Sequence, residues 1–344
     1  MKQLHGRITN IRKLGGLIFF AIAQEHPVMV SKGSPAYEQA KQLCVESNVV
    51  VEAIPPTEEE KNYVATNISI ISEPECFPTS YLTHLMESRE GLKQRAALVQ
   101  ALRQNAWSEG FTEYETPILA EPTKEGARLF TVEGTEYALP QSPQLYKQLL
   151  MVAGYEKYFQ IARCFRHESK RSNRQPEFTQ FCLEKTMTSV EELIEIAKKI
   201  VGSALPTPPK FVEKTYNEAL TLYGTTEPNL GQGTILVLTE IPMFKEKTSK
   251  PNHHPFTAGE SFEFIWCGQE VGGGSIRPHT YEAQMSILQQ MGYSEEEAWA
   301  HFGELLCALE YGALPHGGFA FGIERLLACS NNAQSIKGYM TFAK

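Results

Sequence analysis

The chain has no cysteine pair at CxxC spacing, no long apolar run, no excess of basic residues and no internal repeat. Each absence removes a class of protein. Seven cysteines, an odd number and scattered, make neither a disulfide framework nor a zinc site. The longest apolar run, LGGLIFFAIA at 14–23, is too short to span a bilayer and lacks the flanks and cleavage site of a secretory signal. A reduced, cytoplasmic protein is expected, with no membrane partner. Lys and Arg number 32 against 40 Asp and Glu, a net charge of −8, so nucleic acid would have to meet a local basic face. What remains is ordinary for a globular chain: 344 residues, 42% hydrophobic and 21% charged, enough for one large domain and a small one.

Residues 1–72 read as short β segments (HGRITNI, GLIFFAIA, PVMVS, NVVVEAI, TNISIIS), with one helical stretch, PAYEQAKQLCVES, between the third and fourth. Closely spaced short strands predict a small closed barrel. EPECFP then reads as part of a linker over 73–84, and residues 85–344 as a second domain. Leu92, Ala96, Val99, Leu102 and Ala106 fall at helical spacing, and Gly110 stands where a helix cap belongs. FTEYETPILA reads as a strand whose Pro117 confines it to an edge or an interface. Capping boxes at Ser189/Glu192 and Ser294/Glu297 open two more helices, and 203–258 between them reads as loop-rich. Strands and helices alternate without a βαβ rhythm, which predicts an α+β fold with an antiparallel sheet.

Three stretches carry chemistry. In CFRHESKRSNRQPEFTQFC, Arg166 and Glu168 are two apart and share one face if extended, and the arginine fork suits a phosphate or carboxylate. KRSNRQ reads as a hairpin loop, with Arg163, Lys170, Arg171 and Arg174 adding basic charge; a solvated surface is the plainer reading of that charge. EFTQFCLEK returns as a second strand, with Gln180, Cys182 and Glu184 on one face. In GQEVGGGSIRPH, three consecutive glycines need a close approach to explain them, and a bend or bulge at Cys267–Gly268 would bring Glu263 and Glu270 onto one Mg²⁺. A surface turn with flanking charges fits that stretch equally well. In HGGFAFGIERLL, glycines lead into a helix near Ile323 with Arg325 in its first turn, where anions are favoured.

Together these stretches resemble motifs 2 and 3 of the class II aminoacyl-tRNA synthetases, and in detail the aspartyl enzymes of bacterial type. LPQSPQLYKQLLMVAGYEKYFQIARCFR, RQPEFTQ, EGAR, HHPFT, EVGGGSIR and PHGGFAFGIERL carry the resemblance over most of 85–344, and the helix near 92–109 with GFTEYETPIL resembles motif 1, which builds a dimer interface. It implies an antiparallel class II sheet flanked by helices, preceded over 1–72 by an OB-fold anticodon-binding domain. It implies ATP and Mg²⁺ as cofactors, aspartate or a related dicarboxylate and tRNA as partners, and a homodimer. Arg166 would then bind the α-phosphate and the substrate carboxylate, with Glu168 and Gln175 near adenine and ribose, and Phe178 stacked on the adenine. Gly322, Ile323, Glu324 and Arg325 would complete the ATP site, Arg325 on the far phosphates, while Glu263 and Glu270 hold Mg²⁺. Ser142, Gln144, Lys147 and Arg277 would line the amino-acid pocket, joined by Glu125 on a closing loop and by His253 or His254. Two cations, Lys147 and Arg277, suit a carboxylate and leave a neutral amide under-bonded.

Three departures from that family stand out. No insertion separates motifs 2 and 3: TYNEALTLYGTTEPNLG runs almost directly into TILVLTEIPMF. In the barrel, FFAIAQEHPVMV offers no match for the glutamine that reads the anticodon. Cys182 replaces an aspartate that binds the substrate's α-ammonium, and Glu184, one pleat on, could compensate only through a shift or a water. An aspartate–tRNA ligase or paralogue is the expectation, with a non-tRNA acceptor (ammonia, a small molecule, a protein amine) or a silent RNA-binding paralogue as alternatives.

Overall fold

A computed structural model describes residues 1–23, 25–74, 79–123, 128–167, 169, 171–243 and 255–343. The chain divides into two compact units, Met1–Ser80 and Tyr81–Lys344.

In the first unit, β1 (Lys2–Leu14), β2 (Leu17–Ile22), β3 (His26–Ser31), β4 (Asn48–Ile54) and β5 (Tyr63–Ser72) close a barrel in the order β1-β2-β3-β5-β4. A short helix, α1 (Tyr37–Gln42), joins β3 to β4. This is the five-stranded arrangement of an OB-fold. Period-two alternation drives it: Ile18, Phe20 and Ile22 of β2 and Val49, Val51 and Ala53 of β4 are buried in one core, while the residues between them are not.

The second unit carries α2 (Ser80–Glu87), α3 (Arg89–Ser108), β6 (Thr112–Glu113), β7 (Phe130–Thr131), β8 (Ala138–Leu139), α4 (Gln144–Val152), β9 (Lys157–Phe165) and β10 (Glu177–Thr186). These are followed by α5 (Val190–Ala197), β11 (Lys210–Thr215), α6 (Tyr216–Tyr223), β12 (Thr234–Thr239), β13 (Ser261–Trp266) and β14 (Gln269–Ile276). The last elements are α7 (Tyr281–Gln290), α8 (Glu295–Tyr311), β15 (His316–Gly322) and α9 (Ile323–Ser330). Eight strands form one sheet in the order β11-β12-β13-β14-β15-β10-β9-β6. Its inner strands are antiparallel; only the outer pairs β11·β12 and β6·β9 are parallel. The mixed α+β architecture with a large antiparallel sheet is the one expected.

One sheet face, with Phe181, Leu183, Phe262, Phe264, Phe319 and Phe321, packs on α3, α5 and α9. That explains the apolar spacing seen in the α3 sequence: Leu98, Leu102 and Ala106 are its buried residues. Gly110 closes the helix end at φ +80°, a left-handed conformation that glycine adopts without a Cβ penalty. Next to the other face, Phe256 packs with α4, α7 and α8 in a separate cluster.

Three local expectations change. The strand predicted over FTEYETPILA shrinks to Thr112–Glu113, because Pro117 and the residues after it leave the ladder. The stretch read as loops contains β11, α6 and β12, a parallel βαβ unit whose α6 opens with a Thr215/Glu218 capping box and closes on Gly224 at φ +71°. The Ser189 box is half-formed: its side chain accepts from the Glu192 N–H, while the Glu192 carboxylate turns to Lys185 and Thr188. The linker read over EPECFP lies largely outside the described residues.

Candidate active site

Strand β10 sorts its side chains by parity. Phe181 and Leu183 enter the core, so Gln180, Cys182 and Glu184 face the opposite side of the sheet. Glu184 pairs across the ladder with Gly318 of β15, where a Cβ would overlap both the Glu184 carboxylate and the Leu183 carbonyl. Glycine there is what admits the acid. Into that space Lys147 of α4 donates to Glu184 Oε2 at 3.0 Å, and Arg277, just beyond β14, donates from Nε to Oε1 at 2.9 Å. Arg277 also donates to Ser275 Oγ at 2.6 Å and to the Gly318 carbonyl at 3.1 Å. Lys147, Glu184 and Arg277 are 2%, 0% and 5% exposed. Burial alone would raise the Glu184 carboxyl, but Arg277 and Lys147 hold it down at about 2. Two cations therefore share one carboxylate, and the cluster keeps one net positive charge. Glu184 is thus fully engaged rather than a stand-in for Cys182. The strand alternation already placed it on this face; its partners became visible only with the tertiary contacts.

Cys182 lies one pleat nearer the middle of the sheet, 1% exposed. Burial pushes its thiol up to about 11 against the pull of Lys147, so it is neutral at physiological pH. Its Sγ sits 3.7 Å from Gln180 Oε1.

The three glycines of β14 have separate reasons. A Cβ at Gly272 would overlap the Phe321 ring, and one at Gly274 would overlap the Gly318 carbonyl and the Phe262 ring; both are packing positions. Gly273 faces the site, where a Cβ would lie 3.0 Å from the Phe262 carbonyl, 3.4 Å from Glu263 Cγ and 3.6 Å from Glu270 Oε1, a tight fit but not the overlap of its neighbours. The two acids thus flank one glycine, and the hairpin that carries them has both the expected bend and a bulge, the bulge a few residues further on. Cys267 and Gly268, at φ +50° and +77°, form the tight turn of the β13–β14 hairpin. The irregularity that brings Glu270 round is a bulge one residue beyond it, at Val271, between the Phe264↔Gly272 and Ile265↔Glu270 pairs.

Arg166 follows the last residue of β9 instead of lying on the strand. Its Nε donates to the Gln141 carbonyl at 3.4 Å, and its guanidinium lies 5.2 Å from the centre of the Phe178 ring. Arg325, in the first turn of α9, donates to the Glu270 carbonyl at 2.7 Å, so the hairpin fixes it. Gly322, the N-cap of α9, lines the same cavity, whereas the Ile323 side chain belongs to the core. Glu324 turns its carboxylate to Arg95 of α3 at 2.7 Å and to the Thr179 N–H, tying α9 to α3. Glu125, Glu168, His253 and His254 lie outside the described residues.

These groups line two cavities that meet. One holds Arg166, Asn173, Arg174, Gln175, Phe178 and Arg325. The other holds Ser142, Gln144, Lys147, Cys182, Glu263 and Arg277. Arg166, Gln180, Glu270 and Ala320 line both. Asn173 was not singled out from the sequence; a polar residue inside a basic hairpin loop carries no signal of its own.

The sheet thus carries two adjoining cavities with arginines in both, one of them at the glycine-led start of α9, the arrangement of a class of protein built on an antiparallel sheet with its site on one face. The sequence model described as tRNA synthetases class II (D, K and N) matches residues 80–344, and the chain belongs to that family. It is 26% identical to an aspartate–tRNA ligase of Aster yellows witches'-broom phytoplasma, over 99% of this chain and 91% of that protein. It is 28% identical to an aspartate–tRNA(Asp/Asn) ligase of Thermotoga neapolitana, over 99% of this chain and 92% of the relative. The alignment with the phytoplasma protein runs over 526 positions, far more than this chain's 344, so that relative carries long segments with no counterpart here. Asparaginyl-tRNA synthetase from Pyrococcus horikoshii, solved with asparaginyl-adenylate, shares the fold at a TM-score of 0.80 and 22% identity, over 99% of this chain and 94% of that one.

Proposed function

We propose that the chain is an aspartate–tRNA ligase-type enzyme that activates a carboxylic acid with ATP and passes the acyl group to tRNA. The observation that supports this most is the junction at Arg166 and Glu270, where a cavity with phosphate-type arginines meets one that ends on paired buried cations. ATP would lie with its adenine against Phe178 and its far phosphates toward Arg325. The acid would place its far carboxylate on Lys147 and Arg277 and its reacting carboxylate near Arg166. An oxygen of that carboxylate attacks the α-phosphorus, the bond to the oxygen bridging the α- and β-phosphorus breaks, and pyrophosphate leaves with its electrons. A ribose hydroxyl of tRNA then attacks the acyl carbon and AMP departs. No enzyme side chain forms a covalent intermediate; positioning and neutralisation of charge carry the rate.

Oxygen donors flanking a glycine suit a hard cation, so Glu263 and Glu270 would hold Mg²⁺, which neutralises phosphate charge when bound. The barrel at 1–72 would serve as the anticodon-side domain and the second unit as the catalytic domain, with the linker read over 73–84 giving way to α2 from Ser80. No helix among the described residues is long and apolar enough to cross a membrane, and we assign the protein to the cytoplasm. A homodimer through the 92–120 region would cover Trp107, Ile118 and Leu119, which are exposed. ATP–pyrophosphate exchange with a panel of amino acids and dicarboxylates tests the reading: Mg²⁺-dependent exchange with at least one acid supports it, and none across the panel refutes it.

A further inference from the structure

Phe178 of β10 and Arg325 of α9 line the nucleotide cavity from two separate elements. Their neighbours in sequence, Thr179 and Glu324, meet each other. The β10–β15 ladder ends at the Gln180–Gly322 pair, where β15 gives way to α9. The Thr179 N–H just beyond that pair would be left without a ladder partner. The Glu324 carboxylate accepts it instead, at 3.2 Å to Oε1 and 3.1 Å to Oε2. Thr179 and Glu324 are each 2% exposed.

Arg95 of α3 reaches this junction from the core side of the sheet, the side that Thr179 shares with Phe181 and Leu183 by strand parity. Its Nη1 donates to Glu324 Oε1 at 2.7 Å and to the Tyr339 carbonyl at 3.1 Å, while Nη2 donates to Thr179 Oγ1 at 2.6 Å. A planar guanidinium holds these partners in one fixed arrangement, which a lysine ammonium in the same place does not reproduce. Arg95 is not among the residues lining the nucleotide cavity, yet one of its partners is next to Phe178 and another next to Arg325. The two elements keep their separation at this point while the guanidinium spans both.

We propose that Arg95 is a positioning residue of the nucleotide site, a role that rests on the ATP site of the function proposed above. It fixes the distance between Phe178 and Arg325, and so the affinity for a nucleotide that spans them, without touching the ligand.

The test is calorimetric binding of Mg²⁺–ATP to the full chain in wild type, Arg95→Lys and Thr179→Val, with the Tm of each taken without ligand. Arg95→Lys keeps a charge opposite Glu324; Thr179→Val keeps the branched shape and the backbone N–H but removes the hydroxyl acceptor. Each should raise Kd by roughly ten-fold at unchanged stoichiometry, the order of one lost hydrogen bond to a charged group. A merely structural role has a different signature: less folded protein lowers the stoichiometry and the Tm but leaves the Kd of the folded fraction unchanged. Should Arg95→Lys fail to fold, Thr179→Val decides. A Kd within about two-fold of wild type in the folded variants overturns the positioning role, whatever their Tm. ATP–pyrophosphate exchange by the wild type keeps the two readings apart. ATP binding without exchange on any acid removes adenylation, and the Kd ratio still decides the role of Arg95; a wild type that binds no ATP overturns both.

Discussion

Glu184→Gln isolates the electrostatic centre of the acid cavity. The substitution keeps the shape of the side chain but removes the negative charge that Lys147 meets at 3.0 Å and Arg277 at 2.9 Å, all three groups being buried. Breaking a buried ion pair from one side costs about 3–5 kcal/mol, since the remaining charge stays desolvated. The amide oxygen can still accept one hydrogen bond, which returns about 1 kcal/mol. The balance, about 2–4 kcal/mol, corresponds to a fall in melting temperature of about 5–15 °C for a unit of this size. The cluster also goes from one net positive charge to two, so a bound carboxylate has more to offset. Melting followed by circular dichroism, with and without a saturating dicarboxylate, should show a lower Tm in the variant and a larger rise on adding ligand.

The pH dependence has a defined sign. Glu184 is held at about 2, below its ordinary 4.5, so its contribution is present above pH 4.5 and is lost as pH falls from there toward 2. The gap between wild type and variant should close over that interval. A variant that melts within about 2 °C of wild type at pH 7, with no larger response to ligand, would falsify the claim that the three groups form one coupled unit.

Three further outcomes follow from the same geometry. Arg166→Ala and Arg325→Ala should each lower ATP–pyrophosphate exchange by at least about a hundredfold with little change in Tm, since both line the nucleotide cavity; near wild-type exchange in either would remove that residue from the phosphate site. Gly273→Ala should fold and raise the Mg²⁺ concentration needed for half-maximal exchange, because its methyl group would stand between Glu263 and Glu270, whereas Gly274→Ala should fail to fold or melt far lower, its methyl group overlapping the Gly318 carbonyl; equal effects from the two would contradict the division of the glycines into site and packing roles. Light scattering at micromolar concentration should give the mass of a dimer, and Trp107→Glu, at an exposed position of α3, should shift it toward the monomer; a wild-type monomer would sink the proposed interface.

Much of this fold is legible in the sequence, and the parts that are not share a common cause. The barrel strands, α3, the β9–β10 hairpin and the Gly322–Arg325 helix start all rest on local signals: period-two alternation, helical spacing, and glycines before a helical turn. These signals act within about ten residues, and the fold respects them. What failed was non-local. Whether Pro117 extends or ends a strand depends on a partner strand supplied from β9, more than forty residues on in the chain. The β11–α6–β12 unit was lost among prolines and threonines because β11 earns its place by parallel pairing with β12, not by its own pattern. The Val271 bulge could not be separated from the neighbouring turn, since one extra residue in a glycine-rich hairpin changes register without changing composition. Glu324 lines the cavity of Arg166 and Arg325 and at the same time turns its carboxylate to Arg95 of α3, a contact between distant segments that its neighbours in the sequence do not announce.

The acid cavity shows how far such non-local pairing can set chemistry. Glu184 and Gly318 face each other across the β10–β15 ladder, and Ser275 faces Gly318 across the β14–β15 ladder. Arg277 stands two residues past Ser275, so three adjacent strands bring together the acid, the gap that admits it and the arginine it orients. A register slip of one residue in either ladder would place the Phe319 side chain where Glu184 now fits and would turn the cations away from the cavity. On the function proposed above, selectivity for an acid over its amide would be a property of the sheet: with one net positive charge held in a buried frame, an incoming carboxylate would complete the charge balance. A neutral amide leaves that charge unmatched, and its N–H groups would meet the donors of Lys147 and Arg277, which present no acceptor.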